Sequence, residues 1–222
     1  MKNRDYKEFA PGTYYHVFNR GVAKQDIFTD AEDYTFFLRR LKENLYPKID
    51  KEKPLYSGDI LLNLKKGDRR KLLPPDSFEL VCYCLMPNHF HFLIKQLKEV
   101  PISALMLKMG TGYSMYFNKK KDRVGALFQD AFKAIPIENN DYLFWLSLYI
   151  HQNPIEAGLI NNLKEWPWSS YLDYIGERDG ILCEKSIILE QLNTVKNYEK
   201  MIDKDLKKHK EFKKLSNLIL ES

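Results

Sequence analysis

The strongest constraint on the fold is a pair of apolar runs, "SFELVCYCLMP" (77–87) and "HFHFLIKQ" (89–96), separated only by a Pro-Asn turn signal. Two strand-length runs so close together read as a β-hairpin, which requires an antiparallel sheet with something apolar packed on it. The second run carries two of the chain's five histidines, His89 and His91. Strand side chains alternate faces, so both imidazoles share one side while Phe90 and Phe92 share the other. One histidine on a strand is usually a satisfied structural residue; two at this spacing make a metal-binding pair possible without establishing it. Cys82 and Cys84 also share a face, where core packing is the expected role.

The flanking segments supply the rest of such a sheet. "TYYHVFNRG" (13–21) reads as a strand ending at a glycine turn, and "FKAIPIE" (132–138) as a short strand. "DAEDYTFFLRRLKENL" (30–45) has an acidic start and helical apolar spacing. Residues 100–121 read as a second helix with a weak point at Gly110 and Gly112. "NNDYLFWLSLYIHQNPIEAGL" (139–159) has an Asn/Asp start, a helical body, then Asn-Pro and Gly to end it. The order β-α-β-β-α-β plus a helix predicts an α+β fold. This is the ferredoxin-like split β-α-β arrangement, an antiparallel sheet with helices on one face. Residues 1–160 would form this domain, with 46–76 an insertion holding a small hairpin around "DILLNLKKGD". Residues 161–222 would form a C-terminal helical appendage, its "WPWSSY" aromatics packing on the main body.

At 222 residues with 44% hydrophobic content, the chain can bury a proper core. No apolar run reaches transmembrane length, and the first residues lack an apolar signal core. A cytoplasmic protein with reduced thiols, and without membrane partners, is expected. The net charge of +5 leans mildly towards polyanions. Basic residues cluster at 63–71, at "NKKKDR" (118–123) and at 204–214, which suits either solvated faces or a nucleic-acid surface.

Several separated motifs then agree on a family. "MPNHFHFLI" resembles the histidine–hydrophobe–histidine signature of the HUH endonucleases. "YIHQNPIEAGLI" followed by "WPWSSY" resembles the nucleophile helix and downstream segment of single-tyrosine transposases, above all the REP-associated branch. "YYHVFNRGVAKQDIF" and "DRVGALFQDAFKAI" are similar to that group's first strand and to its region before the last strand. The likeness spans roughly residues 8–175, and the ordered combination of motifs is far more specific than the histidine pair alone.

The resemblance implies a metal-dependent nuclease that cuts and rejoins single-stranded DNA beside a hairpin, as at a repeated palindromic element. Carried over by position, His89 and His91 become the metal pair, Asn153 the third ligand and Tyr149 the nucleophile, with Mg²⁺ or Mn²⁺ as cofactor. The "NRG" turn and the basic run at 118–123 add Asn19, Arg20, Lys119, Lys120, Lys121 and Arg123 as the residues that would grip the DNA. Asp130 departs from the family, whose members often carry a glycine-arginine pair there. Homodimer and monomer both stay open, as does zinc on ligand chemistry alone.

The chemistry is coherent in its own terms. Phosphodiester transfer needs an oxygen nucleophile and something to absorb charge on the non-bridging oxygens. Tyr149 and Asn153 are four residues apart and share a helix face. Tyr113 and Tyr116, beside "NKKKDR", compete for the nucleophile's role, and Gln152 is the alternative ligand. His151 faces away from Tyr149 and reads as structural. The side taken by His16 is open, and His209 reads as solvated. Two other classes compete with the transesterase: a non-catalytic single-strand-binding module on the same fold, and a zinc hydrolase, which would need a further histidine or acid.

Overall fold

The computed structural model describes residues 9–46, 73–192 and 195–205. The hairpin expected around "DILLNLKKGD", the basic run 63–71, His209 and the tail beyond 205 lie outside the described residues. Four strands form one antiparallel sheet: β1 (Tyr14–Arg20), β2 (Phe78–Met86), β3 (His89–Gln96) and β4 (Lys133–Ile137), in the order β2-β3-β1-β4. Helix α1 (Ala31–Leu45) connects β1 to β2, and α2 (Ile102–Lys120) connects β3 to β4. This is the expected split β-α-β sheet.

Period-two alternation sorts the sheet's residues into two cores. On one face Val17, Tyr83, Phe90, Phe92 and Ile94 pack with Phe37 and Leu41 of α1 and with Leu105 and Met109 of α2. Each fully buried large apolar side chain here contributes about 1.5–3 kcal/mol. Both connecting helices therefore sit on one face, as expected. The opposite face, with Cys82, Cys84, Met86 and Leu93, is covered by α3 (Asn140–Glu156) and by α4 (Tyr171–Tyr174), α5 (Ser186–Leu189) and α6 (Val195–Asp205). The β2–β3 register slips between Leu80 and Cys82. That bulge puts Val81 and Cys82 on the same core, so both cysteines are buried packing residues.

Local chemistry sets the helix ends. The Asp30 and Asn139 side chains accept the backbone N–H groups of Asp33 and Tyr142, capping α1 and α3. Helix α2 runs unbroken through Gly110 and Gly112. Pro154 lies inside α3 and Gly158 terminates it at φ 68°. The "WPWSS" segment lies along the outer edge of β2: Leu85 N–H donates to Trp168 O and Ser170 N–H to Tyr83 O. An otherwise open sheet edge is thereby paired.

Candidate functional site

The register brings the site together. Across β1, β3 and β2, Phe18, His91 and Cys84 align as one row, and Arg20, His89 and Met86 as the next. Cross-strand partners share a face, so Arg20, His89 and His91 all point to the side covered by α3. Gly21 makes the turn after Arg20 close: a Cβ there would lie 2.2 Å from the Gln25 carbonyl oxygen. Ala23 and Lys24 follow in the left-handed region, at φ 51° and 60°.

Helix α3 delivers Tyr149 and Asn153. The Tyr149 ring lies 6.0 Å from the His91 ring, centroid to centroid and nearly perpendicular. The two histidine rings are 5.0 Å apart. Asn153 is 8% exposed and donates its amide N–H to the Tyr149 carbonyl, leaving Oδ1 as the atom to offer a cation. The Asn153 side chain also acts on both the His89 ring and the Tyr149 phenol, so these residues and His91 converge, while Gln152 turns away and donates to the Ile202 carbonyl of α6.

The hydrogen-bonding pattern of the histidines is asymmetric. His89 Nδ1 is 2.6 Å from Asn88 Oδ1, and His91 Nδ1 is 2.9 Å from His16 Nε2. Both Nε2 atoms are buried with no protein partner. Two buried imidazole nitrogens held open in this way, beside an amide oxygen, form a donor set that fits a divalent metal. Among the described residues no group of three or more His, Cys, Asp or Glu gathers, so the third donor on offer is the Asn153 amide.

Burial dominates the site's electrostatics. It pushes His89 down to about 4, with the Arg20 charge adding to this and Asn153 opposing it. His91 is held well below its usual range by burial, with neighbouring His89, His16 and Arg20 contributing. Neutral imidazoles, the form that binds metal, are therefore present at neutral pH. Burial raises the Tyr149 phenol to about 12, the Glu156 charge adds to this, and Asn153 and Arg20 work the other way. Arg20 is a cation whose Nε is buried without a protein partner beside this group.

The other DNA-binding candidates are not gathered at this centre. Asn19 points to the opposite sheet face, where it donates to the Asp130 carbonyl and accepts from Arg20 N–H. Lys119 is exposed at the end of α2. Lys120 is enclosed by Asp30, Glu32 and Asp33 at 2.7, 2.8 and 2.8 Å, and Lys121 is 3.6 Å from Asp30. Arg123 bonds Asn118 and covers the Phe117 ring. Of the competing tyrosines, Tyr113 donates a short hydrogen bond to the Ile27 carbonyl, and Tyr116 stacks on Phe36 at 3.8 Å. Both belong to the α1–α2 face.

His16, whose side the sequence alone leaves open, lies on the face of the candidate site. It shares a strand face with Phe18 and Arg20, and the β1–β3 register puts that face against His91. Its spacing of four from Arg20 on one strand was the available signal.

Comparison with known proteins agrees with the motif reading. Residues 67–153 match the family model described as "Transposase IS200 like". The chain is 26% identical over 104 residues to a protein of Haemophilus influenzae that bears the name "Putative REP-associated tyrosine transposase". That match covers 42% of this chain and 59% of the relative's length. A solved structure of a REP-associated tyrosine transposase, bound to a REP hairpin, superposes with a TM-score of 0.50 at 16% identity. It covers 76% of this chain and 82% of the other, and the likeness is one of fold.

Proposed function

We propose that this chain, which is similar to IS200-like transposases over residues 67–153, is a single-tyrosine transposase. In this reading it is a metal-dependent, site-specific endonuclease that cuts and rejoins single-stranded DNA beside hairpins. The observation that carries the reading is the placement of the Tyr149 ring 6.0 Å from His91, next to two buried, unpartnered Nε2 atoms.

His89, His91 and Asn153 would hold Mg²⁺ or Mn²⁺, which supplies positive charge to the non-bridging oxygens of the scissile phosphate. The imidazole donors favour Mn²⁺ of the two. Tyr149 Oη attacks phosphorus, forming a 5′-phosphotyrosine as the P–O3′ bond breaks; the phenol proton passes to solvent and the departing O3′ takes one up. The phosphotyrosine retains an ester of comparable energy, so a 3′-OH can reverse the step and join strands. Arg20, a cation on the same sheet face, would pair with the phosphate being transferred. Exposed Lys119, with Lys121, Arg123 and Asn19, would contact the strand further out. Lys120 has its charge matched by three carboxylates and contributes least.

The segment after 160 has a mechanical part in this scheme. Tyr198 of α6 meets His151, and the Ile202 carbonyl accepts from Gln152, so the appendage braces the helix carrying the nucleophile. The test is nicking of a labelled hairpin with a single-stranded tail in Mn²⁺. Wild-type protein should cut it, and Tyr149→Phe should bind it without cutting. Normal nicking by Tyr149→Phe would replace this reading with a hydrolase that uses water.

A further inference from the structure

His16 has no part in the scheme above, yet it is fully buried on the sheet face of the candidate ligands. Its ring stacks on His91 with centroids 5.1 Å apart, and its Nε2 meets His91 Nδ1 at 2.9 Å. His16 Nδ1 is buried with no partner. An unsatisfied buried nitrogen is costly, and a hydrocarbon of similar size would fill the space without it. Packing alone therefore does not account for an imidazole here.

A neutral imidazole carries one N–H and one lone pair, so this contact has a direction. If the His91 Nε2 lone pair serves a cation, the His91 proton must sit on Nδ1, and His16 Nε2 must accept it. His89 shows the same logic, since the Asn88 oxygen beside its Nδ1 can only accept and so fixes that proton in place. Each candidate ligand then has an outer acceptor on Nδ1 and a bare Nε2. In both cases the outer partner is a neutral group, so nothing in this layer offsets the charge of a cation.

We propose that His16 is a positioning residue of the metal centre, accepting the His91 Nδ1 proton and thereby turning the His91 Nε2 lone pair towards the cation. This rests on reading His89 and His91 as ligands, and the experiment separates the two claims. Mn²⁺ affinity is measured on the full chain without DNA, for wild type, His91→Ala, His16→Leu and His16→Gln. Wild-type affinity in His91→Ala would overturn the ligand reading and this proposal together. With His91→Ala impaired, His16→Leu is expected to weaken Mn²⁺ binding by about 10- to 100-fold. His16→Gln, whose side-chain oxygen can accept the same proton, is expected to recover most of that loss. A folded His16→Leu protein with wild-type affinity would overturn the proposal alone, as would a folded His16→Gln protein as weak as the leucine variant. Where the variants do not fold, nitrogen-15 NMR of Mg²⁺-loaded wild type decides. The expected His16 ring is protonated on Nδ1 with Nε2 accepting, and a proton on His16 Nε2 overturns the proposal.

Discussion

Acid should loosen this protein through His151. The ring is fully buried, with Nδ1 2.7 Å from the Tyr198 hydroxyl and Nε2 2.7 Å from Ser170 Oγ. A neutral ring meets both as one donor and one acceptor, because the Tyr198 hydroxyl is committed to Ser147 Oγ at 3.2 Å. Burial, helped by the Arg178 charge, lowers its pKa to about 3. An unfolded chain regains the ordinary value near ~6.5. Between these values the unfolded state binds the extra proton, so the neutral ring's contribution is complete above pH ~6.5 and is lost as pH falls towards ~3. At pH ~5 the loss from this one group is about 2 kcal/mol, from ~1.4 kcal/mol per pH unit over ~1.5 units. Urea denaturation at pH 7.5 and 5 for wild type and His151→Leu isolates the effect. The variant should be less stable at pH 7.5 but lose about 2 kcal/mol less on acidification. Equal losses in the two proteins would refute the argument.

Four further substitutions test particular parts of the structure. Lys119→Ala should lower the slope of log DNA affinity against log salt by about one, as one phosphate contact is lost, whereas Lys120→Met should leave the slope unchanged and lower the melting temperature. Tyr113→Phe should keep full nicking activity but cost about 1–3 kcal/mol in urea denaturation, because the Ile27 carbonyl loses its buried donor. Gly21→Ala should cost about 1–3 kcal/mol by the same measurement, since its Cβ would meet the Gln25 backbone at 2.2 Å.

The fold was legible wherever local pattern and global structure agree. Alternation in "HFHFLIKQ" determines which residues of β3 face which core, and the Asp30 and Asn139 caps mark two helix starts. Of the candidate site, the pairing of Tyr149 with Asn153 was legible, because the two share a helix face by spacing alone. What stayed hidden depends on pairing between distant segments. His16 meets His91 only through the β1–β3 register, across 75 residues. Lys120 looked like part of a DNA-binding run, but its carboxylate partners come from the start of α1, 87 residues away at Asp33. Helix α3 is apolar on nearly every side because it lies between the sheet and α6, so its composition could not say which face met which neighbour.

In the proposed reaction Tyr149 is the attacking group. The direct measurement is mass-spectrometric mapping of the covalent product after incubation with labelled hairpin DNA and Mn²⁺. The expected product is a denaturation-resistant protein–DNA species with the 5′-phosphate on Tyr149 and a free 3′-OH on the released strand. An adduct on Tyr113 or Tyr116, or cleavage with no adduct at all, would contradict it.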